Sequence, residues 1–540
     1  MSNRFLDGDL TLFSYTPKPS GRLLLWVTTG LVVTLVLLPV FYLLWRAVGD
    51  SATAWAGLWR TSTLWVLLRT IGLALSVTVV SAGVAIPLAW LLARTDLPTR
   101  RFWGIVLPLP LVLPSYVAAY LYVSLLGPRG LLQDVLEPFG VVRLPSIYGF
   151  WGALFCLVVL SYPYLLLGVR GALVRMDPAL EEAARSLGYS PWQAFVRVTL
   201  PLLRPALASS SLLVALYCLR DFGAVAIFRY DSFTRVLYTQ YKTLFNPAQG
   251  AALALLLVAL ALFLVSLEVQ TRGRVRYARA SGALRPIARF RLGKWRWVAF
   301  AYCALIALVA VGIPLLGLGY WLVRGLLAGR ELATLWQALG NSVLAAGLAA
   351  GLTVLAGLPI ALFTTRVGAS KSEQRVALWV ERFSYVGFSL PGLVVALGLV
   401  FLGVRFVPFL YQQLPMLLLG YLILHLSEAS APLRTALLQL RPSLEEAARS
   451  LGHTSAETFL RITLPLIRPG VITAATLVFL NTFKELPVTL LLAPTRFPTL
   501  ATSVWSAVSD AYFAQAALPT LLLILVSSVP LALFTDRFEN

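Results

Sequence analysis

Histidine, cysteine and acidic side chains are scarce in this 540-residue chain. It has two histidines, three cysteines, and 23 acids against 44 bases. The cysteines, Cys156, Cys218 and Cys303, lie in apolar runs without CxxC spacing. That argues against a disulfide framework or a thiolate metal site, and they read as small buried hydrophobes. No GxxxxGK(S/T) phosphate loop occurs, so the chain cannot hydrolyse ATP by that route. A nucleophile elbow and an HExxH zinc motif are missing too. With no recognisable catalytic set, the chain reads as a non-enzyme. The shortage of acids leaves a net charge of +21. No nucleic-acid-binding motif accompanies that charge, and basic residues of membrane proteins gather in cytoplasmic loops, so no nucleic-acid partner is expected.

Apolar side chains are abundant. They make up 59% of the residues, charged ones 12%, and mean hydropathy is +0.82. The apolar runs are long and continuous. They predict helices, because backbone in lipid must satisfy its polar groups within the segment and barrel strands would be short and alternating. The first six spans run from about Leu23 to Leu44, Leu64 to Leu92, Phe102 to Leu126, Phe150 to Met176, Leu203 to Phe228 and Gly250 to Val269. Six more run from about Val298 to Val323, Ser342 to Phe363, Val380 to Phe401, Leu414 to Leu440, Ile467 to Leu492 and Ala517 to Phe534. The fold class is therefore all-α and polytopic, with about twelve transmembrane helices in two six-helix halves. Pro108, Pro110 and Pro114 interrupt the third span, which is tolerated where neighbours or a water-lined cavity satisfy the freed groups.

Residues 1–270 form the first half, 271–297 a linker, and 298–540 the second half. The linker carries nine bases between Arg272 and Arg296 and no acid, which holds it in the cytoplasm; an anionic-lipid site is the competing reading. That orientation puts both termini inside. It also puts inside the basic loops Arg94 to Arg101 and Arg366 to Arg382. Six spans separate equivalent points, so the halves are parallel repeats about an axis along the membrane normal.

One polar stretch occurs twice, from Glu181 to Pro205 and from Glu445 to Pro469, an offset of 264 residues, with about two-thirds of the positions identical. Each copy follows a proline, Pro178 or Pro442. Glu181, Glu182, Ala183 and Ala184 open a segment of strong helix formers, as do Glu445, Glu446, Ala447 and Ala448. Gly188 and Gly452 stand where such a helix would end. A second amphipathic piece follows and stops at Leu200-Pro201 or Leu464-Pro465. The expected unit is helix, glycine turn, helix, over residues 178–202 and 442–466, on the cytoplasmic side. Inherited similarity is the plain explanation. It does not account for spans that have drifted apart around a loop that has not, since loops ordinarily vary most.

Glu182-Ala183-Ala184, Gly188 and Leu200-Pro201 resemble the EAA loop of ATP-binding-cassette importer permeases, and Glu446-Ala447-Ala448, Gly452 and Leu464-Pro465 match it again. The resemblance implies the type I importer permease fold in a bacterial inner membrane. It implies coupling helices that dock on two copies of a nucleotide-binding subunit, with Glu182 and Glu446 as the contact acids. It implies an extracytoplasmic binding protein that delivers the solute, ATP and Mg on the partner subunits, and no cofactor in this chain beyond contact with membrane lipid. The fused architecture, with Asp221-Phe222-Gly223-Ala224-Val225 and Lys484-Glu485-Leu486-Pro487, is similar to the ferric-iron permeases. Thiamine, polyamine, sulfate or another small solute are the alternative cargoes. A secondary transporter, which has no need of two matching loops, is the rival from another class.

The same offset maps Arg220 onto Lys484, Asp221 onto Glu485 and Arg170 onto Arg434. Ionisable residues inside a bilayer are costly and face a bundle interior. The two basic-acidic steps are therefore candidates for the translocation path, with structural ion pairs as the alternative. On a continuous helix their neighbours would diverge by about 100°. Glu428 joins them, three residues from His425. Ferric iron favours oxygen ligands, which Asp221, Glu485, Glu428, Tyr162 and Tyr164 could supply, although no metal site is firmly assigned. His453 receives no ligand role.

Overall fold

A computed structural model describes residues 19–49, 61–176, 179–243, 247–273, 290–327, 333–367, 370–384, 387 and 390–535. The linker bases within 274–289 and Pro178 lie outside them. In chain order the first half holds α1 (Pro19–Gly49), α2 (Thr61–Arg94), α3 (Arg100–Val106), α4 (Ser115–Leu126), α5 (Phe150–Arg175) and α6 (Ala179–Ser186). It continues with α7 (Leu200–Arg220), α8 (Gly223–Ile227), α9 (Phe233–Thr243) and α10 (Pro247–Gly273). The second half begins with α11 (Arg296–Ala307), α12 (Ile313–Leu327), α13 (Ala333–Arg366), α14 (Lys371–Ser384), α15 (Gly392–Phe406) and α16 (Leu414–Gln439). It ends with α17 (Pro442–Ser450), α18 (Arg468–Phe483), α19 (Pro487–Leu492), α20 (Leu500–Ser509) and α21 (Phe513–Thr535).

Among the described residues, eight helices are long and apolar enough to cross a bilayer, and two further pairs qualify if each bent pair is one span. Two shorter apolar helices, Gly392–Phe406 and Phe513–Ser528, fill the remaining expected places. The architecture is thus the all-α polytopic one that the hydropathy pattern demands. Several spans are broken. In the third, Pro108 and Pro110 carry the chain into a 3-10 turn, and extended Pro114 (φ −62°, ψ 146°) starts α4 afresh, across a bend of 98°. Tyr162 donates its hydroxyl to the Leu107 carbonyl at this break, 2.7 Å away, which satisfies an acceptor beside the prolines.

The ninth span begins later than the expected Val380. Residues to Ser384 belong to the amphipathic α14, and Pro391, extended at φ −60° and ψ 136°, starts α15. The fifth and eleventh spans also stop short of Phe228 and Leu492. α7 ends at Arg220 and α18 at Phe483, and the short helices α8 and α19 resume beyond. Asp221 is extended (φ −65°, ψ 131°), so Arg220 and Asp221 are not successive positions of one helix, as the 100° argument required. A carboxylate that bonds the next helix's amides stops the first helix in the absence of any proline.

The chain divides into two compact units that do not follow its halves. One unit comprises Met1–Tyr42 with Gly340–Phe497. There α1 lies against second-half helices: Trp26 meets Phe363 edge to face at 4.8 Å, Tyr42 meets Phe406 at 6.1 Å, and Gly398 admits Pro39. The other unit comprises Leu43–Leu339 with Pro498–Asn540. In it α11 and α12 lie against first-half helices. The Tyr122 hydroxyl donates to the Val309 carbonyl at 2.8 Å, and Tyr302 to Val84 at 3.2 Å. α21 joins the same unit, where Tyr120 donates to Thr520 at 3.0 Å. Cys156, Cys218 and Cys303 are buried free thiols within this unit.

Candidate functional site

The two copies of the repeated loop fold alike from the first helix through the π turn; beyond it α7 runs on unbroken, whereas the second copy bends by 72° at Ile467 before α18. α6 and α17 start with acids in the first turn, which favours the positive end of the helix dipole. Both end in the same hydrogen-bonded turn. The Gly188 amide bonds the Arg185 carbonyl at 3.0 Å and the Tyr189 amide bonds Ala184 at 3.2 Å; Gly452 to Arg449 and His453 to Ala448 repeat those distances. Gly188 has φ +90° and Gly452 φ +92°, and a Cβ at either position would meet nothing within 4 Å. Glycine is needed for the left-handed backbone, not for space.

The return helix also starts the same way twice. Ser190 and Gln193 exchange side-chain-to-amide bonds (3.0 and 3.3 Å), as Thr454 and Glu457 do (2.8 and 3.2 Å). These are capping boxes. Their signal in the sequence is the S-x-x-Q and T-x-x-E spacing, which the hydropathy pattern does not carry. The bonds from Thr454 hold the Glu457 carboxyl below the ordinary carboxylate range. Each copy then widens into a π-helical turn, Phe195–Thr199 and Phe459–Thr463, in which Leu200 bonds Phe195 and Leu464 bonds Phe459. Pro201 and Pro465 follow directly. A proline ring clashes with the carbonyl four residues back, and the wide turn moves the Arg197 and Arg461 carbonyls clear.

The EAA residues divide between faces. Ala184 and Ala448 are buried, at 5% and 3% exposure, whereas Ala183, Ala447, Glu182 and Glu446 are exposed. Leu187 and Leu451, beside the glycines, stand 81% and 82% exposed. The preceding acids differ between copies. Glu181 is half-buried, while Glu445 is buried at 4% exposure and accepts from Arg366 Nη2 at 3.2 Å and Thr463 Oγ1 at 3.1 Å. The same Nη2 reaches the Leu437 carbonyl at 3.4 Å. Arg366 closes α13 and Leu437 lies near the end of α16, so one guanidinium ties both to the loop. In the first copy Arg94 closes α2 and reaches the Met176 carbonyl at 3.2 Å, but the Thr199 hydroxyl has no hydrogen-bond partner among the described residues. Arg94, Arg366 and Thr463 were not anticipated. The signal was an arginine ending the second span of each half.

Four of the path candidates, Arg220, Asp221, Lys484 and Glu485, lie at the breaks, and Glu428 lies within α16. Asp221 Oδ1 accepts from the Ala224 and Val225 amides at 3.0 and 3.4 Å, and the Ser115 side chain bonds the same carboxylate. It thereby joins the start of α4 to the start of α8. Glu485 Oε1 accepts from the Val488 amide at 3.4 Å, and a Cβ on Gly392 would stand 2.7 Å from it. In its own unit it joins the starts of α19 and α15. Both acids thus spend bonding capacity on backbone. Glu428 Oε2 accepts from Asn481 at 2.7 Å and lies 3.2 Å from His425 Nδ1. Across the 264-residue offset, Glu428 and Asn481 correspond to Tyr164 and Tyr217, whose rings are 5.6 Å apart. Arg434 pairs with Glu381 at 2.8 Å, and Arg170 lies against Gly104. Among the described residues no three histidine, cysteine or carboxylate side chains cluster as a metal centre would require. Tyr162, a suggested oxygen ligand, is buried with its hydroxyl on Leu107.

The family model described as "Binding-protein-dependent transport system inner membrane component" matches residues 85–272 and again 357–540. The Fe(3+)-transport system permease protein FbpB 2 of Haemophilus influenzae is 33% identical over 502 residues, 92% of this chain and 94% of that protein. The ferric transport system permease protein FbpB of Actinobacillus pleuropneumoniae is 27% identical across 72% of this chain and 59% of its own length. The molybdenum transport system permease protein ModB of Escherichia coli is 34% identical over 186 residues, 34% of this chain and 80% of that protein. With the domain present twice around a doubled helix–glycine–helix loop, the chain belongs to the binding-protein-dependent transport system inner membrane components, as an importer permease.

Proposed function

We propose that this chain is the transmembrane permease subunit of an ATP-binding-cassette importer for ferric iron and forms its translocation path. The observation that carries the cargo is the full-length relative, itself named for Fe(3+) transport and matched over 92% of this chain. An extracytoplasmic binding protein delivers the ion. Two copies of an ATPase subunit, which hold the ATP and Mg, each grip one coupling loop, and this chain hydrolyses nothing.

Residues 1–270 and 298–540 are the functional halves, joined by the basic linker 271–297. Both termini and both loops face the cytoplasm. Glu182 and Glu446, with Gly188 and Gly452 setting the turn, contact the ATPase. The exposure of both acids and of Leu187 and Leu451 supports that reading. Arg220 and Asp221 in one unit, and Lys484, Glu485 and Glu428 in the other, are the proposed path residues; the first four stand at broken helix ends and Glu428 within α16. Several weak oxygen contacts in series suit a conduit better than one tight cage, because the ion must leave as readily as it enters.

The test is ATP-driven uptake of radioactive ferric iron by the complex reconstituted in proteoliposomes, with molybdate and sulfate as competitors. Binding-protein-dependent iron uptake that neither anion inhibits supports the reading. Uptake of an oxyanion instead overturns the cargo. Changing both Glu182 and Glu446 to Ala should release the ATPase or uncouple it. Unchanged assembly and turnover in that variant would sink the coupling-loop assignment.

A further inference from the structure

The linker re-enters the described structure at Phe290, and it does so against the cytoplasmic end of α2. The Phe290 amide donates to the Arg94 carbonyl at 2.8 Å, and the Asp96 amide donates to the Phe290 carbonyl at 3.2 Å. The Leu292 amide donates to Asp96 Oδ1 at 2.8 Å. Thr95 and Phe290 form the one isolated β-bridge among the described residues. Three directed bonds within three residues fix this strap. Side chains continue the tie. Trp90 on α2 meets Phe290 at 6.0 Å on one side and Phe195 at 6.4 Å on the other. Phe195 is the first residue of the π turn in the first coupling loop.

Arg94 completes the junction. Its backbone receives the strap, while its side chain holds Met176, the last described residue before the loop. Immediately after the strap the chain enters α11. Leu292 of the strap and Ala299, Cys303 and Ala307 of α11 are buried in one core with Leu88, Leu92 and Leu165 of α2 and α5.

We propose that Phe290 is a positioning residue for the first coupling loop, acting through Trp90 on Phe195, so that the chain's own linker braces that loop against α2 and α11. The second loop has a different brace, the buried Arg366–Glu445–Thr463 cluster. The two loops match in sequence and backbone but are held by different chemistry. A stroke applied to the first loop passes through the aromatic series Phe195, Trp90 and Phe290 into α11. That consequence rests on the importer reading; the brace itself does not.

Hydrogen exchange on the full-length chain in nanodiscs, without ATPase, tests the brace. In Phe290→Ala, amides of residues 191–199 should exchange about two- to tenfold faster, the equivalent of losing one aromatic pair. Amides of 455–463 should be unchanged, and Phe290→Trp should restore protection. Equal exchange in wild type and Phe290→Ala overturns the proposal. Acceleration at both loops means general loosening, and Asp96→Asn then decides. It leaves Phe290 in place but weakens the strap, and it must loosen 191–199 alone, or the proposal falls. With the ATPase added, Phe290→Ala should lower iron transported per ATP hydrolysed. Selective loosening with no change in that ratio would keep the contact and refute its role in the stroke. A chain that showed no ATP-dependent transport at all would refute the importer reading instead.

Discussion

Breaking the Arg366–Glu445 pair should loosen the second copy of the repeated loop more than any other single change in it. Both side chains are almost wholly buried, at 8% and 4% residue exposure, and their charged atoms are 3.2 Å apart. Glu445→Ala leaves the buried guanidinium, among the described residues, with the Leu437 carbonyl, and strips Thr463 of this acceptor. Removing one partner of such a pair costs about 3–5 kcal/mol. Glu445→Gln is milder, because the amide oxygen still accepts from Thr463 and Arg366. Exchanging a charge-assisted bond for a neutral one costs about 1–2 kcal/mol. The assay is a double-mutant cycle on the full chain, with Glu445→Gln, Arg366→Gln and the double variant, read by reversible unfolding in mixed micelles. A coupling energy of about 1.5 kcal/mol or more is expected for charges this close in a desolvated site. Exposed Glu446→Gln, its neighbour, should shift stability by less than about 0.5 kcal/mol. If the single changes at 366 and 445 add to within about 0.5 kcal/mol, the two groups do not hold each other and the argument fails.

The other expectations are briefer. Gly188→Ala and Gly452→Ala should each cost about 1 kcal/mol through the left-handed backbone, and read out as weaker ATPase binding rather than misfolding, since the added methyl meets nothing. Gly392→Ala should cut uptake while the chain still folds, because its Cβ would push the Glu485 carboxylate off its position 2.7 Å away; uptake at the wild-type rate would show that this carboxylate can move freely. The two return helices should part company in acid. Glu457 has its pKa lowered by its cap, so its contribution is complete above the ordinary glutamate range and is lost as pH falls through the depressed value. Gln193 does not titrate. Relative to intrinsic rates, acid should therefore accelerate amide exchange at 455–463 and spare 191–199, and parallel behaviour would remove the distinction.

Much of this was legible in the sequence for a local reason. Apolar runs, prolines and the glycine of each loop act on their immediate neighbours, so the spans, the break at Pro108–Pro114 and the turn at Gly188 could be read directly. The break at Asp221 could not be, because no proline marks it; the helix stops where a carboxylate bonds the next helix's amides. The fates of Glu445 and Glu446 were equally hidden. Adjacent acids on a short helix look alike until Arg366, 79 residues earlier, takes one of them. The strap at Phe290 needs a partner nearly 200 residues away, at Asp96. Such pairings depend on how helices pack, which periodicity alone does not encode.

The exchange of first spans between compact units bears on how the chain is made. α1 packs against Phe363 and Phe406, which leave the ribosome about 340–360 residues after Trp26 and Tyr42; at about 5–20 residues per second that is a wait of about 17–73 s. During synthesis α1 must sit in lipid, or be shielded by an insertion factor, with the face destined for Trp26's partner uncovered. α11, by contrast, follows the helices it joins and can dock as it emerges. Pulse-labelled insertion intermediates should therefore show the packing of α2, α5 and α11 becoming protease-resistant before α1 finds its place.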